Sequence, residues 1–507
     1  MKKNNILSTK YNLILWIIFC FIVLINITLA SLAIRTAYFD GAPIFLNVLE
    51  YISRGKIFLF LYSEHPRVAI NFINELPTYI AGLFFHVNNK FVLGFIDTFS
   101  HLFFPFLALL WNYKITKYTG RRDIFAASLF LYAFFVMLYQ IWPFVELSLC
   151  TMLFMLLYNY LCYTEKEYSK FDIFLIILIS VVAYQSYEVV IFAAPLLYLT
   201  AIRTFGKTKS GIGRIIKFIT AILILFAGIY NIWFMLQFQG EEAEITRFIS
   251  EGVGLLKHFT FSSNLLLSVL GISLLFFCNT KKPFEKIPLT LINVIIFGGL
   301  IYLLNPLDKF INPNAENTTR TLIAFAFPLV FFIFVLMDFL KEKFSDTFIT
   351  NVITIAITVG ITHNLWQINN TYWWNNAVNS LKQDLITNNK PLFIPEEHNF
   401  CFDLENAKTR YISPFAYTAI SIIFSDTYEI KYILVQPEDD TINPGAGREN
   451  LFYIKEWKCL RLPATIINEK NKFWDLRHVI NALNEDDKKK NIQHPKLKLL
   501  LQRNLKE

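Results

Sequence analysis

The stretch YSEHPRVAINFINELP, residues 62–77, decides how the chain is threaded. It sets Glu64, His65, Arg67 and Glu75 in an otherwise apolar segment that, extended to position 87, is long enough to be taken for a bilayer crossing. Read as a crossing, 69–87 would carry the basic segment KITKYTGRRD, 114–123, to the outside and invert the charge asymmetry of the loops after it. Read as a helix lying along the membrane surface, with Pro66 in its first turn behind Glu64 and His65, it leaves that asymmetry intact. The surface helix is therefore expected over 66–86, with Glu75 facing solvent. A companion helix is expected over 42–53, where apolar residues at 44, 45, 46, 48, 49 and 52 alternate with Asn47 and Glu50.

Around this loop the chain is dominated by apolar runs. Of 507 residues, 55% are hydrophobic and 17% aromatic, and the mean hydropathy is +0.43, too apolar for an ordinary water-soluble globule. Eleven windows have the length and character of membrane spans: 12–33, 91–113, 124–142, 145–163, 171–187, 189–203, 215–237, 263–278, 287–304, 321–340 and 347–366. The first follows a basic start, MKKNN, and is read as an uncleaved span and not as a signal peptide. With the N-terminus in the cytoplasm, the loops on that side carry 19 Lys and Arg. The opposite side carries few, even in the long loop 34–90. This is the positive-inside distribution, and it accounts for the net charge of +8 without nucleic acid as a partner.

The expected fold class is thus mainly α: a polytopic helical bundle of about eleven transmembrane helices, residues 1–366, with surface helices in its first outer loop. An odd number of crossings puts residues 367–507 outside. Their mixed charge and segments such as YEIKYILVQ and LFYIKEWKCLRLP lead to the expectation of a small extracytoplasmic α/β domain. Cys20, Cys150, Cys162 and Cys278 fall in or beside spans as small apolar residues, whereas Cys401 and Cys459 in the tail are a candidate disulfide pair. No P-loop, GxGxxG, HExxH or internal repeat occurs.

A first span, an acidic residue just outside it (YFD, Asp40), a surface helix, and a proline motif opening a second surface helix (EHPR) together resemble the GT-C superfamily of polytopic glycosyltransferases. Here Arg67 stands where that motif usually has a second proline, and a single Asp40 followed by Gly41 replaces a paired acid. The resemblance implies transfer of a sugar from a polyprenyl-phosphate donor to a glycan or lipid acceptor on the outer face, with an acidic residue of this loop as general base. The chemistry of the residue types agrees. An attacking hydroxyl must lose a proton to a carboxylate, and a departing lipid phosphate calls for cations. Asp40 is the candidate base, with Glu64 and Glu188 as acids that orient the acceptor or a metal; a divalent metal is a candidate cofactor and no other is implied. His65, Arg67 and Arg320 are candidates for the phosphate, and Tyr187, Asp97 and His101 for the cavity wall.

Each has a plainer reading. Asp40 could cap the helix that begins near Pro43, Glu64 and His65 could cap the next, and Arg320 could snorkel to the headgroups. Glu188 could be an interfacial turn residue, His258 a surface histidine, and WQINNTYWW, 366–374, an aromatic girdle at the interface. Asp97 and His101, one turn apart inside a span, would also suit a proton relay, so a transporter or flippase of lipid-linked saccharide is the alternative from another class. An O-antigen-type polymerase or a non-enzymatic scaffold are further alternatives. The expected location is a bacterial inner membrane.

Overall fold

A computed structural model describes residues 10–37, 41–57, 67–137, 146–165, 167–186, 189–237, 315–340, 344–387, 392–393, 417–425 and 433–434, with Leu7 and Phe473 besides. The described chain is helical almost throughout. Its order is α1 (Lys10–Leu32), α2 (Gly41–Ser53), α3 (Val68–Tyr79), α4 (Lys90–Thr119), α5 (Arg122–Leu131), α6 (Glu146–Leu161), α7 (Lys170–Val182), α8 (Val190–Phe205), α9 (Gly211–Gln237), α10 (Ala315–Leu340), α11 (Asp346–Thr387) and α12 (Tyr417–Phe424). Both α3 and α5 continue as one wide π turn, over Ile80–Phe84 and Tyr132–Val136. The surface helices expected over 42–53 and 66–86 correspond to α2 and to α3 with its π turn.

Local chemistry explains several boundaries. Asn89 caps α4 by accepting from the backbone N–H groups of Phe91 (2.8 Å) and Val92 (3.3 Å). Gly120, in the left-handed conformation at φ 70°, closes the same helix through its N–H to the Thr116 carbonyl. Ser169 and Asp172 form a reciprocal capping box at the start of α7. At the end of α1, Ile34 is held at φ 48°, a strained conformation for a β-branched residue. Its side chain is buried against Gly94 of α4, where any Cβ would approach it to 2.8 Å.

The bundle is closed by a seam between α1 and α11. Gly360 lets the helices meet: a Cβ there would lie 2.5 Å from the Phe19 ring and 3.3 Å from Ala133. That ring is fixed by stacking with Trp16 and by edge contacts with Phe106 and Tyr132. One turn beyond, Asn26 donates to Asn364 Oδ1 at 3.0 Å, an interhelical bond between buried amides. Past the end of α1, Arg35 donates to Gln367 Oε1 and Thr371 Oγ1, both at 3.2 Å, and Trp374 donates to the Ala33 carbonyl at 2.8 Å.

Four described helices are long and apolar enough to cross a membrane: Asn12–Leu32, Lys90–Thr119, Gly211–Phe234 and Asp346–Ser380. Large apolar side chains on α1 and α9, among them Phe21, Ile17, Ile215 and Phe226, point outward as a lipid-facing surface requires. The apolar helices at Glu146–Leu161 and Val190–Phe205 are shorter, and windows 263–278 and 287–304 lie outside the described residues. Among the described residues, four helices and not eleven meet the expectation of a full crossing. The boundary expected between 366 and 367 falls inside α11, which runs unbroken for 42 residues because no Gly or Pro interrupts it after Gly360. Trp374 of the expected interfacial girdle is instead a core residue. The expected α/β tail is met only by α12 and a parallel pair of two-residue strands, β1 (Leu392–Phe393) and β2 (Ile433–Leu434); most of that segment, with Cys401 and Cys459, lies outside the described residues. α12 is tied to the start of α4 by Lys90, which donates to the Ile422 carbonyl at 2.8 Å.

The two ends of the bundle differ. At one, ion pairs join the helix ends: Arg121 with Asp123 and Asp338, Arg203 with Asp338, Arg122 with Asp346, and Lys209 with Glu165. Four of the loops expected to share the basic side, 114–123, 164–170, 203–217 and 341–346, contribute to this set, so the structure gathers them. At the other end lie α2, α3 and a layer of buried polar side chains.

Two predictions follow from the packing. Gly360→Ala lowers the melting temperature in detergent by the equivalent of ~1–3 kcal/mol, the usual cost of overpacking, and Phe19→Leu restores part of that loss. On α2, burial pushes the Glu50 carboxyl from 4.5 up to about 7, with Arg54 one turn on opposing the shift. A raised carboxyl contributes stability that is complete below its ordinary value and is lost as pH rises through the folded value. Thermal stability should therefore decline between pH 4.5 and 7, and Glu50→Gln should flatten that part of the profile.

Candidate functional site

Along α3, Asn71, Glu75 and Thr78 recur at the spacing that aligns side chains on one helical face. On a free amphipathic helix this face would be wetted, which is the basis for expecting Glu75 in solvent. In the structure Glu75 is 1% exposed. The reason is that α4 presents its own polar face, Asp97, Thr98, Ser100 and His101, and α6 opens with Glu146, so polar side meets polar side as α3 packs against both helices.

The contacts are specific. Ser100 donates to the Asn74 carbonyl at 2.6 Å, pinning α3 to α4 through its backbone. Thr78 Oγ1 lies 3.5 Å from Asp97 Oδ1, and the Asn71 amide nitrogen 3.4 Å from Glu146 Oε1. His101 Nδ1 is 2.9 Å from the Asp97 carbonyl oxygen, which assigns it the proton, and 3.8 Å from the Asp97 carboxylate. The turn after α1 joins the layer through Thr36, whose hydroxyl lies 2.7 Å from that of Thr98. Arg67, directly before α3, is buried, and its carbonyl accepts the Asn71 N–H at 3.2 Å.

Three carboxyl groups thus share one buried layer. Burial, reinforced by the charges of Asp97 and Glu146, pushes the Glu75 carboxyl well above the usual carboxylate range. Glu75 Oε1, Asn71 Oδ1 and Asn74 Oδ1 are buried with no hydrogen-bond partner, a costly state for oxygen acceptors unless something is bound to them. Among the described residues no three His, Cys, Asp or Glu side chains converge as a metal-ligand group; Glu64 and Glu188, the acids considered for a divalent metal from sequence, lie outside those residues. The layer has the chemistry to hold protons or a hard cation, and its carboxylates could serve as bases toward a hydroxyl at its rim.

Of the residues singled out in the sequence, Asp97, His101 and Arg67 are buried at this end of the bundle, the first two in direct contact. Asp40, Glu64, His65, Tyr187, Glu188 and His258 lie outside the described residues. Arg320 belongs to α10, near its first turn, and its side chain is likewise outside them. Sequence reasoning missed Asn71, Asn74, Glu146 and the Thr36–Thr98 pair. The signal for the first two was the amide-rich NFINE run within an apolar helix. Glu146 carries no local cue beyond being an acid at the edge of an apolar window, and only tertiary packing gives it a role. No protein-family model matches this chain, and no curated protein or solved structure is detectably similar to it.

Proposed function

We propose that the protein is a membrane glycosyltransferase that moves a sugar from a polyprenyl-phosphate donor to a glycan or lipid acceptor of the cell envelope, on the extracytoplasmic side. One observation carries the reading: the loop after the first apolar helix folds into two helices, and the second of them, α3, brings carboxyl and amide groups into the polar end of the bundle. The resemblance of the segment from Asp40 to Arg67 to GT-C enzymes supports it independently. The charge distribution of the loops supports a cytoplasmic N-terminus.

In the proposed reaction an acceptor hydroxyl attacks the anomeric carbon of the donor. Its proton passes to the Asp40 carboxylate, the bond from the anomeric carbon to the phosphate oxygen breaks, and polyprenyl phosphate leaves with both bonding electrons. The anomeric configuration inverts. Arg67 and Arg320 neutralise the departing phosphate, with His65 beside them; Glu64 and Glu188 orient the acceptor, and Tyr187, Asp97 and His101 line the cavity. No metal is required by this scheme, although a divalent ion at Glu64 or Glu188 would serve the same leaving group.

The test is a transfer assay on membranes containing the wild type, Asp40→Asn or Arg320→Ala, supplied with a panel of radiolabelled polyprenyl-phosphate sugars. Label enters an extractable glycan or lipid with the wild type. Asp40→Asn reduces the rate by ~10²–10⁴, the usual contribution of a positioned base. No label with any donor, from protein that is folded in detergent, would favour the flippase reading, to be followed by translocation of lipid-linked sugar in vesicles.

A further inference from the structure

We propose that the polar face of α3 is a binding site for a small monovalent cation of sodium's kind, held between Asn71 and Glu75 and facing Glu146 and Asp97. Two independent observations converge on it. The first is charge: Glu75, Asp97 and Glu146 are buried together, and of these Asp97 has Thr78 and His101 beside it and Glu146 has the Asn71 amide, whereas Glu75 Oε1 has no donor. The second is the orientation of neutral groups. Asn71 turns its amide nitrogen to Glu146, which leaves its carbonyl oxygen buried without a donor, as is Glu75 Oε1 one helical turn further on. Asn74 Oδ1, on the adjoining face, is in the same condition.

On α3 itself the buried side-chain atoms without a hydrogen-bond partner are all oxygens, those of Asn71, Asn74 and Glu75 among them, and this points to the ligand class. Oxygen donors select hard cations, and among the described residues thiolate or imidazole metals have no ligand set. Asp97 and Glu146 lie near Glu75 but are bonded to Thr78 and Asn71, and among the described residues no three such groups are placed to hold a metal, so one carboxylate with amide oxygens fits a singly charged ion better than magnesium or calcium. The raised proton affinity of Glu75 describes the layer without the ion, and the cation would take the place of that proton. The groups facing the site from other elements are Asp97 and His101 of α4 and Glu146 of α6, with Arg67 at the start of α3 itself. Bound there, the ion staples α3 to α4 and α6 and so fixes the helix that follows the EHPR motif. The inference does not depend on the transfer reaction.

The full chain, purified in detergent at pH 8, is heated in sodium chloride and in choline chloride of equal ionic strength, and radioactive sodium uptake is measured by equilibrium binding. Wild type should melt several degrees higher in sodium, with saturable uptake approaching one ion per chain. Glu75→Gln and Asn71→Ala, checked for a monodisperse elution profile, should lose both effects while keeping a cooperative transition. Equal melting in the two salts with no sodium uptake would overturn the proposal and leave Glu75 as a protonated acid. Undiminished uptake by Glu75→Gln would overturn it as well, and so would stabilisation by magnesium but not by sodium.

Discussion

The fold depends on the contact that α1 makes with α11, the first and last long helices of the described bundle. Lipid offers no hydrophobic drive for one apolar helix to prefer another, so association rests on close packing and on the few polar groups that find each other. Gly360 against Phe19 supplies the first, and the Asn26–Asn364 bond the second. Arg35 and Trp374 extend the seam beyond α1, where it fixes the direction in which the chain leaves the helix. Because α2 and α3 follow from that exit, the position of the polar layer is inherited from a contact between residues more than 300 positions apart.

The two ends of the bundle solve opposite electrostatic problems. At one, Asp338 is answered by Arg121 and Arg203 and also accepts the Tyr158 hydroxyl at 2.6 Å, so the charges there are neutralised in pairs. At the other, the carboxyl groups of Glu75, Asp97 and Glu146 are buried near one another and the side-chain oxygens of Asn71 and Asn74 lack donors. Natural proteins retain such a deficit where something is to be bound or protonated. This contrast, more than any single residue, is what supports placing the proposed site at the end formed by α3 and the start of α4.

Much of this was legible in the sequence. Long apolar windows and their charge asymmetry identify α1, α4, α9 and α11 because length and hydropathy are local properties. The periodicity of 42–53 and the Pro66 signal identify α2 and α3, and the spacing of Asp97 and His101 correctly makes them neighbours. What could not be read is what each amphipathic face meets. Glu75 looks solvated on its own helix and is buried only because α4 and α6 bring further polar groups against it. The continuation of α11 past position 366 was hidden for a related reason: its polar residues, Gln367, Asn370 and Thr371, mark the end of a hydropathy window but not the end of a helix, and they are buried, with Gln367 and Thr371 bonded to Arg35 just past the C-terminal end of α1.

That continuation has a mechanical meaning. At 1.5 Å per residue a 42-residue helix is about 63 Å long, roughly twice the ~30 Å thickness of a hydrocarbon core. Gly360 lies about a third of the way along this rod, whose contacts with the chain around α1 continue as far as Trp374, which bonds to Ala33 and touches the Phe424 ring of α12. One unbroken helix therefore serves both as a wall of the bundle and as the mast on which α12 is seated, so the tail needs no separate linker to be placed beside the end of α1.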